Sequence, residues 1–293
     1  MKRWFLFYLG CVALLGDAVA EDAPAVQSED WVFLDNGVVR LGVIRSSGGG
    51  MGFLGASGSS RNLLNHYDRG RLVQQSYYGD EDGSRWGERP WRYNPVQGGD
   101  YRGKSPRLVE LRSDATRLYS KSVPLHWATG VELNECVMEQ WITLEGGVVH
   151  ARFQMSYNGE SSHGARHQEI PAIFVDASLA TLVAYTGEKP WTGGGLTRRT
   201  PGAKNEYLKI TENWVAYVDA EGFGVGAYVP TAEEATCYRF LGGAGSDCSY
   251  VAPLVTFALK PGLKFSYEAY FAIGAVEDLR ERFSIIRETL ARK

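Results

Sequence analysis

The stretch VHARFQMSY, residues 149–157, decides the fold class. Apolar or aromatic side chains occupy every second position from Val149 to Tyr157, and polar side chains from His150 to Ser156 fill the positions between them. Because successive side chains of a β-strand point to opposite faces of a sheet, this alternation predicts a strand with one buried and one solvated face. Strands of this kind are typical of antiparallel sheets.

The same alternation recurs before and after this stretch. Residues 39–43 alternate directly after an Asp-Asn-Gly turn signal, and residues 265–271 alternate after a Pro-Gly turn. Residues 214–219 and 223–229 flank a short Ala-Glu-Gly turn, which predicts a hairpin. The chain outside the N-terminus is therefore expected to consist mainly of strands and tight turns.

One segment has the helical rather than the strand period. Between Val276 and Ala291 the apolar side chains recur at three- and four-residue intervals, which is the spacing of one helix face. No repeat or linker is visible in the sequence. We therefore predict a single all-β domain over residues 21–293, made of stacked antiparallel sheets with a C-terminal helix lying on them.

The first twenty residues have the pattern of a secretory signal peptide. Lys2 and Arg3 precede an apolar run from Trp4 to about Gly16, and Ala18-Val19-Ala20 ends the run with small residues at alternate positions. The run is too short for a stable membrane span, and no later stretch is apolar enough for one. We therefore expect residues 1–20 to be removed and the mature protein to be secreted or periplasmic. A lipoprotein anchored at Cys11 is the alternative.

Composition and charge argue against one class of function. The net charge of −3 and the absence of a lysine–arginine stripe argue against nucleic acid binding. Thirty-five glycines, sixteen tyrosines and eight tryptophans favour strands, tight turns and exposed aromatic platforms. We expect a monomer.

Three cysteines remain after the signal peptide. In an oxidising compartment Cys237 and Cys248 could form a disulfide, with Cys136 left as a small buried apolar group. No paired Cys-x-x-Cys spacing is present, so a zinc site is not expected.

Three pieces, in order, resemble the galactose mutarotase family. Gly70-Arg71-Leu72-Val73-Gln74-Gln75 is similar to the family's Gly-Arg-x-x-Asn-Arg sugar-contact piece. Asn94-Pro95-Val96-Gln97-Gly98-Gly99 resembles its Asn-x-x-His-Gly-Gly stretch, and Ala165-Arg166-His167 resembles its Thr-Asn-His strand. The resemblance implies an antiparallel β-supersandwich with a concave sugar-binding face.

This sequence also departs from the family pattern. Gln97 stands in place of the family's first histidine, and no carboxylate stands near Ala227 or Tyr228, where the family's late glutamate base would fall. An aldose epimerase needs one group to take the anomeric hydroxyl proton and another to protonate the ring oxygen. Mutarotase activity is therefore disfavoured. The same fold also occurs in polysaccharide lyases, in hydrolase accessory domains and in binding modules.

Four residues are candidates for catalysis. His167 and Glu169 are two positions apart on a predicted strand, so both side chains point to one face. They could form an acid–base pair, or they could be the solvated end of a strand. His126, which follows a loop-like Val-Pro-Leu segment, and Tyr77 are further candidates.

The segment from Asn65 to Lys104 is too rich in polar, aromatic and glycine residues for ordinary strands, and long ordered loops of this kind are usually functional. Arginine forks, amides and aromatic faces are the groups that recognise sugars. The predicted substrate-binding residues are His66, Tyr67, Arg71, Gln75, Trp86, Trp91, Asn94, Gln97 and, outside this segment, Glu139. The two tryptophans could instead fill the end of the sandwich.

These residues predict an enzyme that degrades a polysaccharide. Elimination across a uronic acid needs a base near the C5 proton and groups that stabilise the acidified carboxylate, and the candidate residues supply both. Hydrolysis needs two carboxylates across the bond, for which Glu169 and Glu139 are the candidates. A non-catalytic carbohydrate-binding protein is the alternative from another class. No cofactor or metal is predicted, although a divalent cation such as calcium stays an open alternative.

Overall fold

The computed structural model describes residues 29–292, which form twenty-one strands and one α-helix. The strands, in chain order, are β1 Trp31–Asp35, β2 Val39–Ile44, β3 Gly50–Ala56, β4 Gln74–Ser76, β5 Glu81–Trp86, β6 Arg89–Arg92, β7 Pro95–Val96, β8 Arg107–Ser113, β9 Arg117–Val123, β10 Leu125–His126, β11 Cys136–Glu145, β12 Val148–Tyr157, β13 Ala165–Asp176, β14 Thr181–Ala184, β15 Thr197–Arg199, β16 Glu206–Lys209, β17 Trp214–Val218, β18 Phe223–Tyr228, β19 Glu234–Phe240, β20 Cys248–Ala258 and β21 Leu263–Ala275. A 3₁₀ turn spans Arg45–Ser47, and α1 spans Val276–Ala291.

Two large sheets form the body of the sandwich. A seven-stranded sheet has the order β10-β7-β4-β13-β20-β19-β16, and a nine-stranded sheet has the order β15-β14-β17-β18-β21-β12-β11-β9-β8. The pairings in both sheets are antiparallel. Strands β1, β2 and β3 form a three-stranded sheet, and β5 and β6 form a separate hairpin. The all-β antiparallel prediction is confirmed.

The main core lies between the two large sheets. The stretch that decided the fold class is β12, and its alternate side chains Ala151 and Phe153 are fully buried there. Tyr267 and Phe271 from β21 and Val251 from β20 join the same cluster. One face of each large sheet therefore packs into this core, and the other face points away from it.

The C-terminal helix is confirmed with the predicted bounds. Leu279 and Phe283 are fully buried, and Phe283 packs on the rings of Trp214 and Tyr228. The helix thus covers the outer face of the nine-stranded sheet over β17, β18 and β21. Arg280, also on α1, makes two hydrogen bonds to the fully buried Glu212, so the helix is held by an ion pair as well as by apolar contacts.

Local predictions vary in accuracy. The hairpin is confirmed as β17 and β18, with Gly222 in the left-handed region at φ +81°. The segment from Asn65 to Lys104 is less irregular than predicted, because it contains β4 and β7 of the seven-stranded sheet and the β5–β6 hairpin.

The predicted disulfide is wrong. Cys237 is paired with Val251 across β19 and β20, whereas Cys248 is paired with Phe240. Val251 and Cys248 are three positions apart, so the two cysteines point to opposite faces of the sheet. Cys136, Cys237 and Cys248 are all buried free thiols.

The predicted signal peptide, residues 1–20, lies outside the described residues. Between residues 29 and 292 no helix combines the length and the apolar character that crossing a bilayer requires.

Candidate functional site

The face of the seven-stranded sheet that points away from the core, here called the open face, carries the strongest cluster of chemical groups. Paired residues on neighbouring strands share a face, and Glu169 on β13 is paired with Ser76 on β4 and Leu254 on β20. Leu254 is in turn paired with Glu234 on β19. One row of side chains across the open face therefore includes two carboxylates.

Glu169 is the centre of this cluster. The hydroxyl of Tyr78 donates a hydrogen bond of 2.9 Å to Oε1 of Glu169, and the hydroxyl of Tyr250 donates to the same atom. Both phenols thus contact one carboxylate oxygen, and Oε2 makes neither contact. Tyr78 is held in place because its backbone N–H donates to the buried side chain of Gln168.

Burial raises the pKa of Glu169, and hydrogen bonds from Tyr250, Tyr78 and Ser76 offset part of that effect. Glu169 is partly exposed as a residue, whereas its carboxyl group lies against the hydroxyls of Tyr78 and Tyr250. The pKa values of Tyr78 and Tyr250 are also raised, first by burial and then by the charge of Glu169. The phenols therefore stay protonated, and Glu169 holds its proton to a higher pH than an ordinary glutamate.

Aromatic rings form the floor beside Glu169. Tyr250 packs against Phe174 with ring centroids 4.7 Å apart, and against Tyr238 with centroids 4.5 Å apart. Phe174, Tyr250 and Leu254 are buried, together with Ala172 and Ala252. This floor is mostly apolar, and the hydroxyl of Tyr250 is directed at the carboxyl.

His167 and Glu234 lie at the exposed side of the same face. The side chains are 46% and 43% exposed, and Nε2 of His167 is 3.8 Å from Oε2 of Glu234. His167 is two residues before Glu169, a separation of about 6.8 Å along a strand. Glu234 and Glu169 are separated by one intervening strand, so their Cα atoms are about 10 Å apart. Sequence reasoning missed Glu234 and Tyr250.

Arg71 and Tyr67 lie at the end of the open face where β19 and β20 are joined. The Arg71 guanidinium stacks between the rings of Tyr67 and Phe240, at 5.0 and 5.1 Å from their centroids. It also donates a hydrogen bond to the backbone oxygen of Ser246 in the connecting loop. Arg71 therefore already has protein partners, and it closes this end of the face.

The two predicted tryptophans, Trp86 and Trp91, form a cluster with Trp127. Trp86 and Trp91 belong to the β5–β6 hairpin and pack edge to face, with centroids 4.9 Å apart. Trp86 also packs on Trp127, 5.7 Å away, and a Cβ atom at Gly70 would lie only 2.5 Å from Trp127. The absence of a side chain at Gly70 permits this close approach. The three rings form a compact cluster next to β10.

Gln75, Tyr77, Asn94 and Gln97 are not on the open face. All four are buried, and Tyr77 and Gln75 are fully so. Gln75 donates to the backbone oxygen of Glu139 and accepts from Tyr77, while Gln97 donates to the backbone oxygen of Gly48. Asn94 donates to the backbone oxygen of Tyr77. Roles for these residues in catalysis or sugar contact conflict with their positions, because their polar groups are used inside the protein.

His126 is also a structural residue. It is buried, its Nε2 lies 2.8 Å from Asp82, and its Nδ1 accepts a hydrogen bond from the backbone of Ala128. Since Nδ1 is an acceptor, Nε2 carries the proton and donates to Asp82. This pair ties the β5–β6 hairpin to β10, so the prediction of His126 as a catalytic residue is not supported by its geometry.

Glu139 and His66 lie apart from the Glu169 cluster. Glu139 is on the outer face of the nine-stranded sheet, where it accepts hydrogen bonds from Tyr119 and Gln154. The two sheets and the core therefore separate it from Glu169. His66 packs edge to face on Trp31 of the three-stranded sheet, and burial lowers its pKa. Neither residue contacts the open-face cluster.

No cluster of three or more metal-ligating side chains occurs between residues 29 and 292.

Comparison with known proteins identifies the fold. No family model and no curated protein matches the sequence. The solved structures that resemble it include an assigned aldose 1-epimerase of Escherichia coli K12 (TM-score 0.53, 13% identity), a galactose mutarotase related enzyme of Lactobacillus acidophilus (TM-score 0.55, 8% identity) and a galactose mutarotase-like protein of Lactobacillus casei (TM-score 0.53, 10% identity). Each similarity covers 83% of this chain and 98%, 97% and 99% of the other chain, respectively. The chain therefore has the galactose mutarotase-like sandwich fold, as the resemblance predicted.

Proposed function

We propose that this protein is a carbohydrate-active enzyme that cleaves a polysaccharide on the open face, with Glu169 as its central acidic group. The observation that carries the proposal is a carboxyl group with a raised pKa that two phenols contact beside an aromatic floor. Aromatic faces stack on the C–H faces of sugars, and an acid that keeps its proton can serve as a proton donor. The fold neighbours, described as mutarotase-like proteins or as an aldose epimerase, support a sugar ligand.

Elimination on a uronate-containing glycan is the first reaction proposed. With both phenols on Oε1, a protonated Glu169 can donate from Oε2 to the uronate carboxylate and so acidify the C5 proton. His167 takes that proton, the C4–O4 bond breaks, and a phenol such as Tyr78 protonates the leaving oxygen. The electron pair of the C–H bond forms the C4–C5 double bond, so the products are an unsaturated uronate and a new chain end.

Hydrolysis is the second candidate, because the open face holds a second carboxylate. Cα atoms about 10 Å apart across one strand leave room for two carboxyl groups to flank a glycosidic bond and an attacking water. Glu169, whose pKa is raised, would protonate the leaving oxygen, and Glu234 would activate the water. Glu234 takes the place that the sequence analysis gave to Glu139.

The proposal includes export. The basic and apolar pattern of residues 1–20 supports cleavage after Ala20 and a secreted or periplasmic location. In that location the protein would have access to extracellular polysaccharides. The intact mass of the exported protein tests this directly: a chain that retains residues 1–20 would contradict it.

A glycan panel tests the proposed function. The mature protein is incubated with neutral and uronate polysaccharides, and reducing ends are measured together with ultraviolet absorbance of unsaturated uronates. Elimination produces reducing ends with absorbance, whereas hydrolysis produces reducing ends alone. Retention on a glycan without either product would indicate a binding protein and contradict enzymatic cleavage.

A further inference from the structure

The outer face of the nine-stranded sheet is covered by α1 only over β17, β18 and β21. Over β8, β9, β11 and β12 this face carries a row of four paired residues, Arg112, Tyr119, Trp141 and Arg152, one from each strand. We call this row the arginine–aromatic ladder. Four neighbouring strands span about 14 Å, which is the length of a short oligosaccharide.

The ladder is organised by stacking. Tyr119 and Trp141 pack with ring centroids 5.3 Å apart. The guanidinium of Arg152 lies 4.8 Å from the centroid of the Trp141 ring, and that of Arg112 lies 5.0 Å from the centroid of the Tyr119 ring. A guanidinium stacked on a ring keeps its N–H donors in a fixed plane, so less entropy is lost when these donors bind a ligand.

The Arg152 donors are unused within the described part of the chain, where it has no ion pair or hydrogen bond to a side chain. Its neighbour in the row, Glu268, lies 3.3 Å from Nε2 of His150 instead and accepts a hydrogen bond from the Tyr270 hydroxyl. Arg112, by contrast, is paired with Glu110 at 2.8 Å. Of the two arginines in the ladder, Arg152 is therefore the one whose guanidinium N–H groups are available to bind an anion.

A groove of about 380 Å³ adjoins the ladder. Its lining includes Arg112, Arg117, Tyr119, Trp141 and Thr143. Asp114, which also lines it, is occupied by its own turn, because its Oδ1 accepts the backbone N–H groups of Thr116 and Arg117 at 2.9 and 2.8 Å. The groove is shallow and open, and it offers arginine donors and aromatic faces.

We infer that the arginine–aromatic ladder and its groove bind an anionic oligosaccharide. Carboxylate or sulfate groups of the glycan bind the Arg152 fork and Arg117, while sugar rings lie against Trp141 and Tyr119. The ladder is on the opposite side of the core from Glu169, so it holds a chain without filling the open face. The substrate class rests on the proposed function, whereas the binding itself does not.

Affinity electrophoresis in gels that contain a soluble glycan tests the inference. Matched gels carry a uronate polysaccharide, a sulfated one or a neutral one, and the retardation of each variant gives its Kd. Arg152→Ala is the main variant, because Arg152 is exposed and its loss leaves no buried group unpaired. Lys264→Ala is the control, since Lys264 is exposed on the same sheet face about 14 Å along β21 from Glu268.

Arg152→Ala should weaken binding to the acidic glycan about tenfold or more, by the usual size of a hydrogen bond to a charged group. Arg152→Lys should recover little of it, because lysine keeps the charge but lacks the stacked fork. Lys264→Ala should bind like the unchanged protein. The uronate and sulfated gels show which anion is preferred.

Equal binding by Arg152→Ala and the unchanged protein would overturn the inference, as would equal loss in Lys264→Ala or no retention on any acidic glycan. These outcomes differ from a failure of the proposed function. If Arg152→Ala lowers binding but no glycan is cleaved, the ladder stands and the enzyme proposal fails. If a glycan is cleaved while Arg152→Ala binds it normally, the enzyme proposal stands and the ladder inference fails.

Discussion

Removing the hydroxyl of Tyr250 should destabilise the protein by an amount that depends on pH. The Tyr250→Phe substitution keeps the ring, which packs on Phe174 and Tyr238, and deletes one of the two phenol donors to Oε1 of Glu169. The cost should therefore follow the charge of Glu169, because a hydrogen bond to a charged group is stronger than one to a neutral group.

The free energy of unfolding lost in Tyr250→Phe depends on whether the Glu169 carboxyl is protonated. Below the unfolded pKa, near 4.3 for glutamate, Glu169 is protonated, and the lost hydrogen bond should cost about 0.5–1.5 kcal/mol. Burial raises the folded pKa of Glu169, so the anion appears only above the ordinary range. Once the anion has formed, the cost should rise to about 1.5–3 kcal/mol.

Chemical denaturation at a series of pH values measures this difference. Tyr238→Phe is the matched control, because Tyr238 packs on Tyr250 but makes no hydrogen bond to Glu169 in the described residues. The free energy of unfolding lost in Tyr250→Phe should increase with pH, and that lost in Tyr238→Phe should not. A pH-independent loss, or the same profile in the control, would refute the reasoning.

Three further predictions concern the rest of the molecule. Arg280→Ala should destabilise the protein by about 3–5 kcal/mol in thermal or chemical unfolding, because it leaves the fully buried Glu212 without its ion-pair partner; a loss below about 1 kcal/mol would contradict this. Alkylation of the denatured, unreduced mature protein should add three alkyl groups, one each at Cys136, Cys237 and Cys248, and the addition of only one would indicate a disulfide. His167→Ala should reduce turnover about a hundredfold while glycan binding largely survives; near-normal turnover in a folded variant would remove His167 from catalysis.

The strands and the helix were predictable because their signals are local. The alternation in β12 and the helical spacing over Val276–Ala291 both record which side of an element is buried. Each signal needs only neighbouring positions in the sequence, so no knowledge of the partner strands is required.

Several residues that the sequence nominated for the site lie on the buried side of the strands that form the open face. In and after the three-residue strand β4, Gln75 and Tyr77 point into the core, whereas Ser76 and Tyr78 point to the open face. A strand this short has too few positions to show which set is buried, and a shift of one residue reverses every side chain. The Cys237–Cys248 disulfide was predicted incorrectly for the same reason, because the sequence did not show that the two side chains point to opposite faces of the sheet.

Glu234 and Tyr250 could not be found from sequence for a different reason. They join Glu169 because β13, β20 and β19 are neighbours in the sheet, although 65 residues separate Glu169 from Glu234 (234 minus 169). Strand order and register are set by contacts between distant parts of the chain. No local pattern around Glu234 distinguishes it from a solvated surface glutamate.

We propose Glu169 as the acidic group of a glycan-cleaving site, and the pH–rate profile of Glu169→Gln tests this role most directly. Glutamine keeps the shape and an N–H donor but cannot titrate. If Glu169 acts in elimination as a protonated donor, the unchanged enzyme should lose activity as pH rises past the raised pKa of Glu169, and the variant should not show that loss. If Glu169 is the proton donor of hydrolysis, the variant should be about a hundredfold slower below the raised pKa of Glu169, and the difference should shrink as pH rises past it. A folded Glu169→Gln variant whose rate and pH profile match those of the unchanged enzyme would contradict the account.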